Sequence, residues 1–454
     1  MLTQTLKQDR RNYDLADAVA EAEANYVAIN PESARIAAGS RASLPGGNTR
    51  TTLHFNPFPL VIDRADGATI TDIDGKTYAD FVNEFSAGLF GHNAPVIMDA
   101  LQRALASGIN FGGPNRYEAN LAAKIIDRFG SISKLRFCSS GTEANLLALG
   151  TARAVTQRNR VLVFDGAYHG SLFYFHHGAS PINAPVDVVM AQYNDWADTE
   201  RVVHENAAAL AAVIIEPMQG ASGCIAGESE FLRNLRAICT QHGIVLIFDE
   251  VMTSRLSSGG LQKRLGISPD MTTLGKYIGG GVTLAAFGGR ADIMDRFDPR
   301  SPSPLPHGGT FNNNILAMIA GTAAFDQLLT DEALDRMNGY GDAFRNRLNL
   351  FACSRGTPFR ATGVGSLIGL HFHDGEIHRS GDLDAVPARA KLVDDLNRLL
   401  HFELLSGGHY VARRGFMALS LVTTAAQMNA VGLAIEGFLI ERGPLIASVF
   451  KSEA

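Results

Sequence analysis

Four short stretches of this chain combine residue types that could do chemistry. Ser139-Ser140-Gly141-Thr142-Glu143 offers a glycine turn, and Ser140 with Glu143 fits a capping box. A helix beginning there would turn free N–H groups and the positive end of its dipole outward, which suits a phosphate. Ile247-Phe248-Asp249-Glu250-Val251 carries an apolar run into a carboxylate, a group that is costly to bury without a cation or proton donor. Leu274-Gly275-Lys276, followed by Gly279-Gly280-Gly281, sets an amine in an apolar setting where burial would lower its pKa toward nucleophilic use. Gly166-Ala167-Tyr168-His169-Gly170 holds an aromatic ring and an imidazole between glycines. Taken singly, each has a plain alternative: a helix cap, a stray carboxylate, a surface lysine, a loop.

The elements around these stretches decide whether they meet. Apolar runs at 135–138, 161–164, 186–190, 212–215, 244–248 and 271–274 read as buried strands, with helix-period stretches at 142–156, 198–210 and 228–242. Strand and helix in alternation imply crossover units and a largely parallel sheet, so the fold class is α/β. In such sheets ligands bind beyond the carboxyl ends of the strands, which is where all four stretches fall. Together they supply a phosphate cradle, a stacking ring, a carboxylate and an amine. That inventory would hold pyridoxal phosphate, the lysine as Schiff base and the acid at the pyridinium nitrogen.

The rest of the chain bounds this reading. The 454 residues exceed what one core usually holds, so two or three packed units are expected. Residues 1–75 read as an N-terminal segment, 76–330 as a large cofactor domain and 331–454 as a smaller α+β domain. Within the first, a helix is expected over 13–38, a break at Pro45-Gly46-Gly47-Asn48, and a hairpin turning at Asp74-Gly75 between runs at 69–73 and 76–78. Within the last, a helix near 331–352 precedes strand-like runs at 366–372 and 409–420 and a helix at 425–442. A net charge of -6 disfavours nucleic acid as a partner. The apolar stretch 207–215 is far shorter than the ~18 residues of a spanning helix. Asp9, Arg10, Arg11, Asp14, Asp17, Glu21 and Glu23 argue against a leader peptide, and four cysteines without a C-x-x-C pair suggest a reducing, cytoplasmic setting. His371, His373 and His378 lack the ligand set of a metal site, and no dinucleotide fingerprint follows an early strand.

The residues Ser-Ser-Gly-Thr-Glu-Ala-Asn (139–145), Tyr168-His169-Gly170, Glu216-Pro217, Asp249-Glu250-Val251-Met252 and Thr273-Leu274-Gly275-Lys276 resemble the class III aminotransferases. That resemblance runs from about 40 to 440 and implies the fold type I pyridoxal-phosphate architecture. Pro45-Gly46-Gly47-Asn48, the run 275–281 and Ala286-Phe287-Gly288-Gly289-Arg290 are similar to the glutamate-1-semialdehyde aminomutase branch. Gly47-Asn48-Thr49-Arg50, Met252-Thr253-Ser254-Arg255-Leu256 and Gly309-Thr310-Phe311-Asn312-Asn313-Asn314 are similar to the β-amino acid (β-phenylalanine) aminotransferases.

The resemblance implies that Lys276 is the Schiff-base lysine and proton shuttle, and that Asp249 keeps the pyridine nitrogen protonated. It implies that Ser140, Gly141 and Thr142 hold the phosphate, with Thr310 reaching it from the second subunit of a homodimer. Tyr168 and His169 belong to the ring pocket, Val251 with Met252 to its other wall, and Glu216 to its ordering. Arg50 matches the arginine that binds substrate carboxylate, and Arg414 is a second candidate, for the acceptor; a surface ion pair is the alternative for each. Phe55, Phe58, Phe85 and Phe90 could flank an aromatic substrate or belong to a core. The expected reaction moves the amino group of a β-amino acid to a keto acid such as 2-oxoglutarate or pyruvate. Glutamate-1-semialdehyde aminomutase and ω-amine aminotransferase chemistry are the alternatives.

Overall fold

The computed structural model describes residues 14–384 and 386–451. Tyr13, with Asp9, Arg10 and Arg11, lies outside the described residues. Its centre is a seven-stranded sheet in the order β4-β12-β11-β10-β7-β5-β6. β4 (Lys134–Cys138), β5 (Arg160–Phe164), β6 (Val188–Ala191), β7 (Leu210–Ile215), β10 (Val245–Asp249) and β11 (Met271–Leu274) correspond to the six expected strands. β12 (Ala285–Gly289), antiparallel to both β11 and β4, was not expected. Its Ala-Ala-Phe-Gly-Gly sequence lacks the β-branched signature of a strand. Its glycines answer to packing: a Cβ on Gly289 would lie 2.2 Å from the Asp270 carbonyl oxygen, and one on Gly288 2.7 Å from that of Lys134.

Strand periodicity divides the central core in two. Leu162, Phe164, Val213, Ile215, Leu246 and Phe248 pack on one face with Leu232, Leu235 and Ile238 of the helix Ser229–His242. Val161, Val163, Ala212, Ile214, Val245 and Ile247 pack on the other with Ala144, Ala148 and Leu149 of the helix Gly141–Thr156. Strands covered on both faces are near-continuous apolar runs, which is why they were readable.

Two smaller sheets approach the same end of the molecule. β1 (Ile62–Asp66), β2 (Thr69–Asp72) and β3 (Thr77–Asp80) form the expected hairpin system, with Gly75 at φ +87° in the turn. β15 (His409–Tyr410) then pairs in parallel with β3. β13 (Arg360–Val364), β14 (Leu367–His371) and β16 (Phe416–Ala418) form an antiparallel trio. The single run expected over 409–420 is therefore two strands in different sheets. Gly415 at φ +78° divides them, and its Cα approaches so closely that a Cβ would lie 2.2 Å from the Leu370 carbonyl oxygen. β14 ends at His371, so His373 lies beyond the strand rather than on one face of it with His371.

The helix expected over 13–38 is two helices, Leu15–Ile29 and Pro31–Ser40. Pro31 has no N–H to continue the first helix and fits the first turn of the second. Helices at Pro95–Leu105, Arg116–Arg128, Ile315–Gln327 and Pro387–Ser406 were not expected. The 25-residue helix Asp331–Arg355 and the helix Ala425–Glu441 were. β8 (Met218–Gln219) and β9 (Ile225–Ala226) make a separate short antiparallel ribbon. No helix among the described residues is long and apolar enough to cross a membrane.

Candidate active site

Parallel strands bring their carboxyl ends to one edge. There β4 delivers Ser140, β5 leads to Tyr168 and His169, β7 to Glu216, β10 ends in Asp249, and Lys276 follows β11. Asp249 is buried, and its carboxylate is surrounded by donors. Oδ2 accepts from Asn145 Nδ2 at 2.7 Å and meets His169 Nδ1 at 2.8 Å. Oδ1 accepts from the Val251 N–H at 3.1 Å. Thr273 Oγ1 stands 3.5 Å from Oδ1, but its single proton is committed to Asn145 Oδ1 at 2.6 Å. Oδ1 thus keeps acceptor capacity for one more donor. Asn145 and Thr273 lie in the motifs 139–145 and 273–276, with no role of their own expected from the sequence. A polar residue one helical turn after Gly141, on the face packed against the sheet, was the available signal.

Ser140 caps the helix Gly141–Thr156, its Oγ accepting from the Glu143 N–H at 3.2 Å. The capping box is only half made. Glu143 Oε2 accepts from the Ser139 N–H at 2.8 Å instead of from Ser140. The N–H groups of Gly141 and Thr142 have no intrahelical acceptor, as at any helix start, and the dipole adds positive potential there. Val251 fills the space that glycines leave: a Cβ on Gly141 would meet its side chain at 3.0 Å, and one on Gly275 at 3.2 Å. Met252 lies likewise against Gly220.

Glu216 is buried and accepts from the N–H groups of Tyr168 at 2.9 Å and Gly220 at 3.0 Å. Burial pushes its carboxyl up to about 7, against the pull of His169. The Tyr168 ring stays 41% exposed, edge-on to Tyr174. Thr310 is exposed, on a loop whose Asn312 accepts from Ser139 Oγ at 3.4 Å.

Lys276 has φ +56°, a conformation that a side-chain-bearing residue keeps only when its surroundings dictate it. Its Nζ donates to the Phe85 carbonyl at 2.7 Å. Burial first, then the Arg50 cation, lowers its amine to about 8, with Asp249 opposing. The acceptor belongs to an unusual turn: Asn83, Glu84, Phe85 and Ser86 all have positive φ, from +44° to +77°. Left-handed backbone costs about 1–2 kcal/mol per residue, so the fold must hold this turn from outside. Asn83 Nδ2 donates to the Ala418 carbonyl at 2.7 Å, and buried Arg255 donates to that of Ser86 at 3.1 Å.

The two candidate substrate arginines converge on this turn. The Arg50 guanidinium is 5.3 Å and that of Arg414 5.4 Å from the Phe85 ring centroid, and Phe416 stacks on the same ring at 5.7 Å. Arg50 also pairs with exposed Glu84 at 3.0 Å. So the surface ion pair set against a substrate role is present at Arg50; beside Arg414 it falls to Arg413, which holds Asp394 at 2.6 Å, and no carboxylate among the described residues pairs with Arg414. Phe55 and Phe58 are elsewhere, in a core cluster with Tyr26 and Phe402, and Phe90 is buried against Tyr277.

A buried acid with a free acceptor site, a helix start and a lysine on one sheet edge narrow the candidates to one architecture. Residues 52–392 match the family described as aminotransferase class-III. The chain belongs to the class III aminotransferases. It is 46% identical over 429 residues to the β-phenylalanine transaminase of Variovorax paradoxus, covering 94% of this chain and 97% of that one. A solved structure of a β-phenylalanine aminotransferase from that organism superposes with TM-score 0.92 at 45% identity, over 95% of this chain and 99% of the other. The glutamate-1-semialdehyde 2,1-aminomutase of Salinibacter ruber is 36% identical over 355 residues, 74% of this chain and 81% of its own length.

The protein is therefore a pyridoxal-phosphate-dependent transaminase of fold type I. The residues present fit that cofactor. A Cβ on Gly170 would lie 2.1 Å from Thr142 Oγ1, so the Tyr168-His169-Gly170 loop closes onto the helix start only with glycine there. Asp249 Oδ1 retains the acceptor site that a ring N–H needs. A family of this kind requires an amino donor and a keto acceptor.

Proposed function

We propose that this transaminase takes its amino group from a β-amino acid, aromatic for preference as in β-phenylalanine, and passes it to a keto acid such as 2-oxoglutarate or pyruvate. The observation that carries this reading is the pair Arg50 and Arg414 around Phe85, whose carbonyl receives Lys276. A guanidinium fork suits a carboxylate, and two forks serve two substrates that must alternate in one site. The stacked Phe85 and Phe416 rings add an apolar surface between them for an aryl group. The 46% identity to a β-phenylalanine transaminase supports the same reading.

Bound here, pyridoxal phosphate supplies the aldehyde that captures the donor amine and the ring that draws electrons from the reacting carbon. Around it we assign Ser140, Gly141 and Thr142 to the phosphate, Asp249 to the ring nitrogen, and Tyr168, His169, Val251 and Met252 to the ring walls. Glu216 orders the Tyr168 and Gly220 backbone. Lys276, with its amine lowered to about 8, has a neutral share at ordinary pH and moves the substrate proton. Thr310 is exposed on a loop beside Phe311, 60% exposed, in keeping with a homodimer whose site each copy completes for the other. Residues 76–330 would be the cofactor domain, with 1–75 and 331–454 closing over it. Four free cysteines accord with a cytoplasmic setting.

A donor-by-acceptor activity matrix tests the substrate assignment. Turnover of 3-amino-3-phenylpropanoate with 2-oxoglutarate or pyruvate is expected. No turnover of that donor, with glutamate-1-semialdehyde consumed, would replace this reading by the mutase.

A further inference from the structure

Among the described residues Arg255 is the largest fully buried side chain, with a relative exposure of 0%, and no carboxylate among them pairs with it. Its guanidinium donates instead to two carbonyls, Ser86 at 3.1 Å and Leu419, and lies 3.2 Å from Met337 Sδ. Three distant segments meet on it: the left-handed turn 83–86, the strand exit after β16 and the helix Asp331–Arg355. Its own segment is tied to that helix, and the helix in turn to the start of β14. Asn338 Nδ2 donates to the Arg255 and Leu256 carbonyls, and Asn338 Oδ1 accepts from the Ser366 N–H at 2.9 Å. A buried, unneutralised cation is expensive and persists only where its position is exploited.

We infer that Arg255 is a positioning residue for Lys276: it clamps the left-handed turn whose Phe85 carbonyl receives the lysine amine, and its uncompensated charge disfavours a second cation beside it. This rests on Lys276 being the reacting amine, and not on which amino acid is the donor. The groups acting on Lys276 are Arg50, Asp249, Arg255 and Arg414. Arg50 exerts the larger repulsion, but it is 43% exposed, pairs with Glu84 and would be neutralised by a substrate carboxylate. Arg414 stands open to the same neutralisation by the acceptor. Asp249 is occupied by its own donors and pulls the other way. Arg255 is reached by no substrate, so its effect persists through both halves of the reaction. Burial lowers its guanidinium to about 9, which leaves it charged at neutral pH.

The test is the rate at which the cofactor-free protein captures pyridoxal phosphate, followed by absorbance from pH 6 to 10, together with amide hydrogen exchange at Ala87, Gly88 and Leu89. Those N–H groups bond to Glu84, Asn83 and Ala87 carbonyls and so report the turn. Arg255→Gln should displace the capture midpoint upward by about half a unit, about threefold in rate at pH 7, and speed exchange at the three amides. Arg255→Lys lacks the fork, so exchange at the same three amides should accelerate in it as well. Coincident capture profiles for wild type and Arg255→Gln would overturn the inference, as would unchanged exchange in both variants. If Arg255→Gln does not fold, Arg255→Lys decides alone: faster exchange at the three amides supports the inference, and unchanged exchange overturns it. Failure of wild type to capture, or capture by Lys276→Ala at the wild-type rate, would instead remove the Lys276 reading itself.

Discussion

The site has two sides built on different principles. Around Asp249, Asn145, Thr273 and His169 form a buried network in which nearly every donor has its acceptor. Around Phe85, the cations Arg50, Arg255 and Arg414 all act on one amine, and among the described residues Glu84 is the one carboxylate paired to any of them. The first side holds one arrangement; the second is electrostatically unsatisfied, in a form that anionic substrates can complete. A saturated network gives rigidity and fixed protonation, whereas surplus charge gives affinity for what arrives.

The largest expected effect falls where the two sides meet. Lys276→Met should abolish transamination, by about 10⁴-fold or more as for loss of a proton-transferring group, and remove the visible band that borohydride fixes. It should also raise thermal stability of the cofactor-free protein at pH 7. The sign follows from the lowered amine: the buried lysine opposes folding below about 8, where it must either bind a proton in an unfavourable place or give it up, and this cost fades as pH rises. Unaltered melting temperature would mean that the amine is not strained by its surroundings.

Next come the arginines. Arg50→Ala should raise KM for the β-amino donor by about 10–100-fold, the worth of charge-assisted bonds at about 1.5–3 kcal/mol, with a smaller effect on the acceptor. Arg414→Ala should do the reverse. Equal losses for both substrates in both variants would dissolve the division of labour.

Disturbing the saturated side should cost less. Asn145→Ala removes one donor from Asp249 and the acceptor of Thr273, and about 1–3 kcal/mol in cofactor affinity is expected. Titrating the apoprotein with pyridoxal phosphate measures it, and unchanged affinity would show that the network is not what orients Asp249. Smallest is Glu216→Gln. Because the Glu216 carboxyl is raised to about 7, wild-type stability should fall as pH climbs from about 4.5 to about 7, and the variant should lack that fall. The variant should also be weaker at acid pH, since an amide cannot accept both N–H groups that Glu216 now satisfies. Denaturant midpoints at pH 5 and 8 decide.

The same division explains what was legible. The strands of the central sheet are uninterrupted apolar runs because both faces are covered, and their tips carry residues whose cost of burial announces a purpose. Lys276, Asp249 and Tyr168 could therefore be placed on one edge before any coordinates, whereas Glu216 entered through the family resemblance alone. β12 was missed because its residues were selected for close approach, not strand propensity, and the split at Gly415 was missed because both halves look like strand. Arg255 stood in the Met252–Leu256 motif with no role of its own: an arginine among polar neighbours reads as surface. Its burial depends on segments 169 and 164 residues away.

By itself, then, the order of residues determined the α/β sheet, the chemistry at its carboxyl edge and the cofactor, because these follow from periodicity and from groups adjacent along the strands. Only the tertiary structure decided that Asn145 and Thr273 serve Asp249, that Phe85 and not Phe55, Phe58 or Phe90 stands at the site, and that three arginines surround one lysine. Those relations join residues far apart in the chain, and no local pattern of size, charge or spacing encodes which distant carbonyl or ring a side chain will meet.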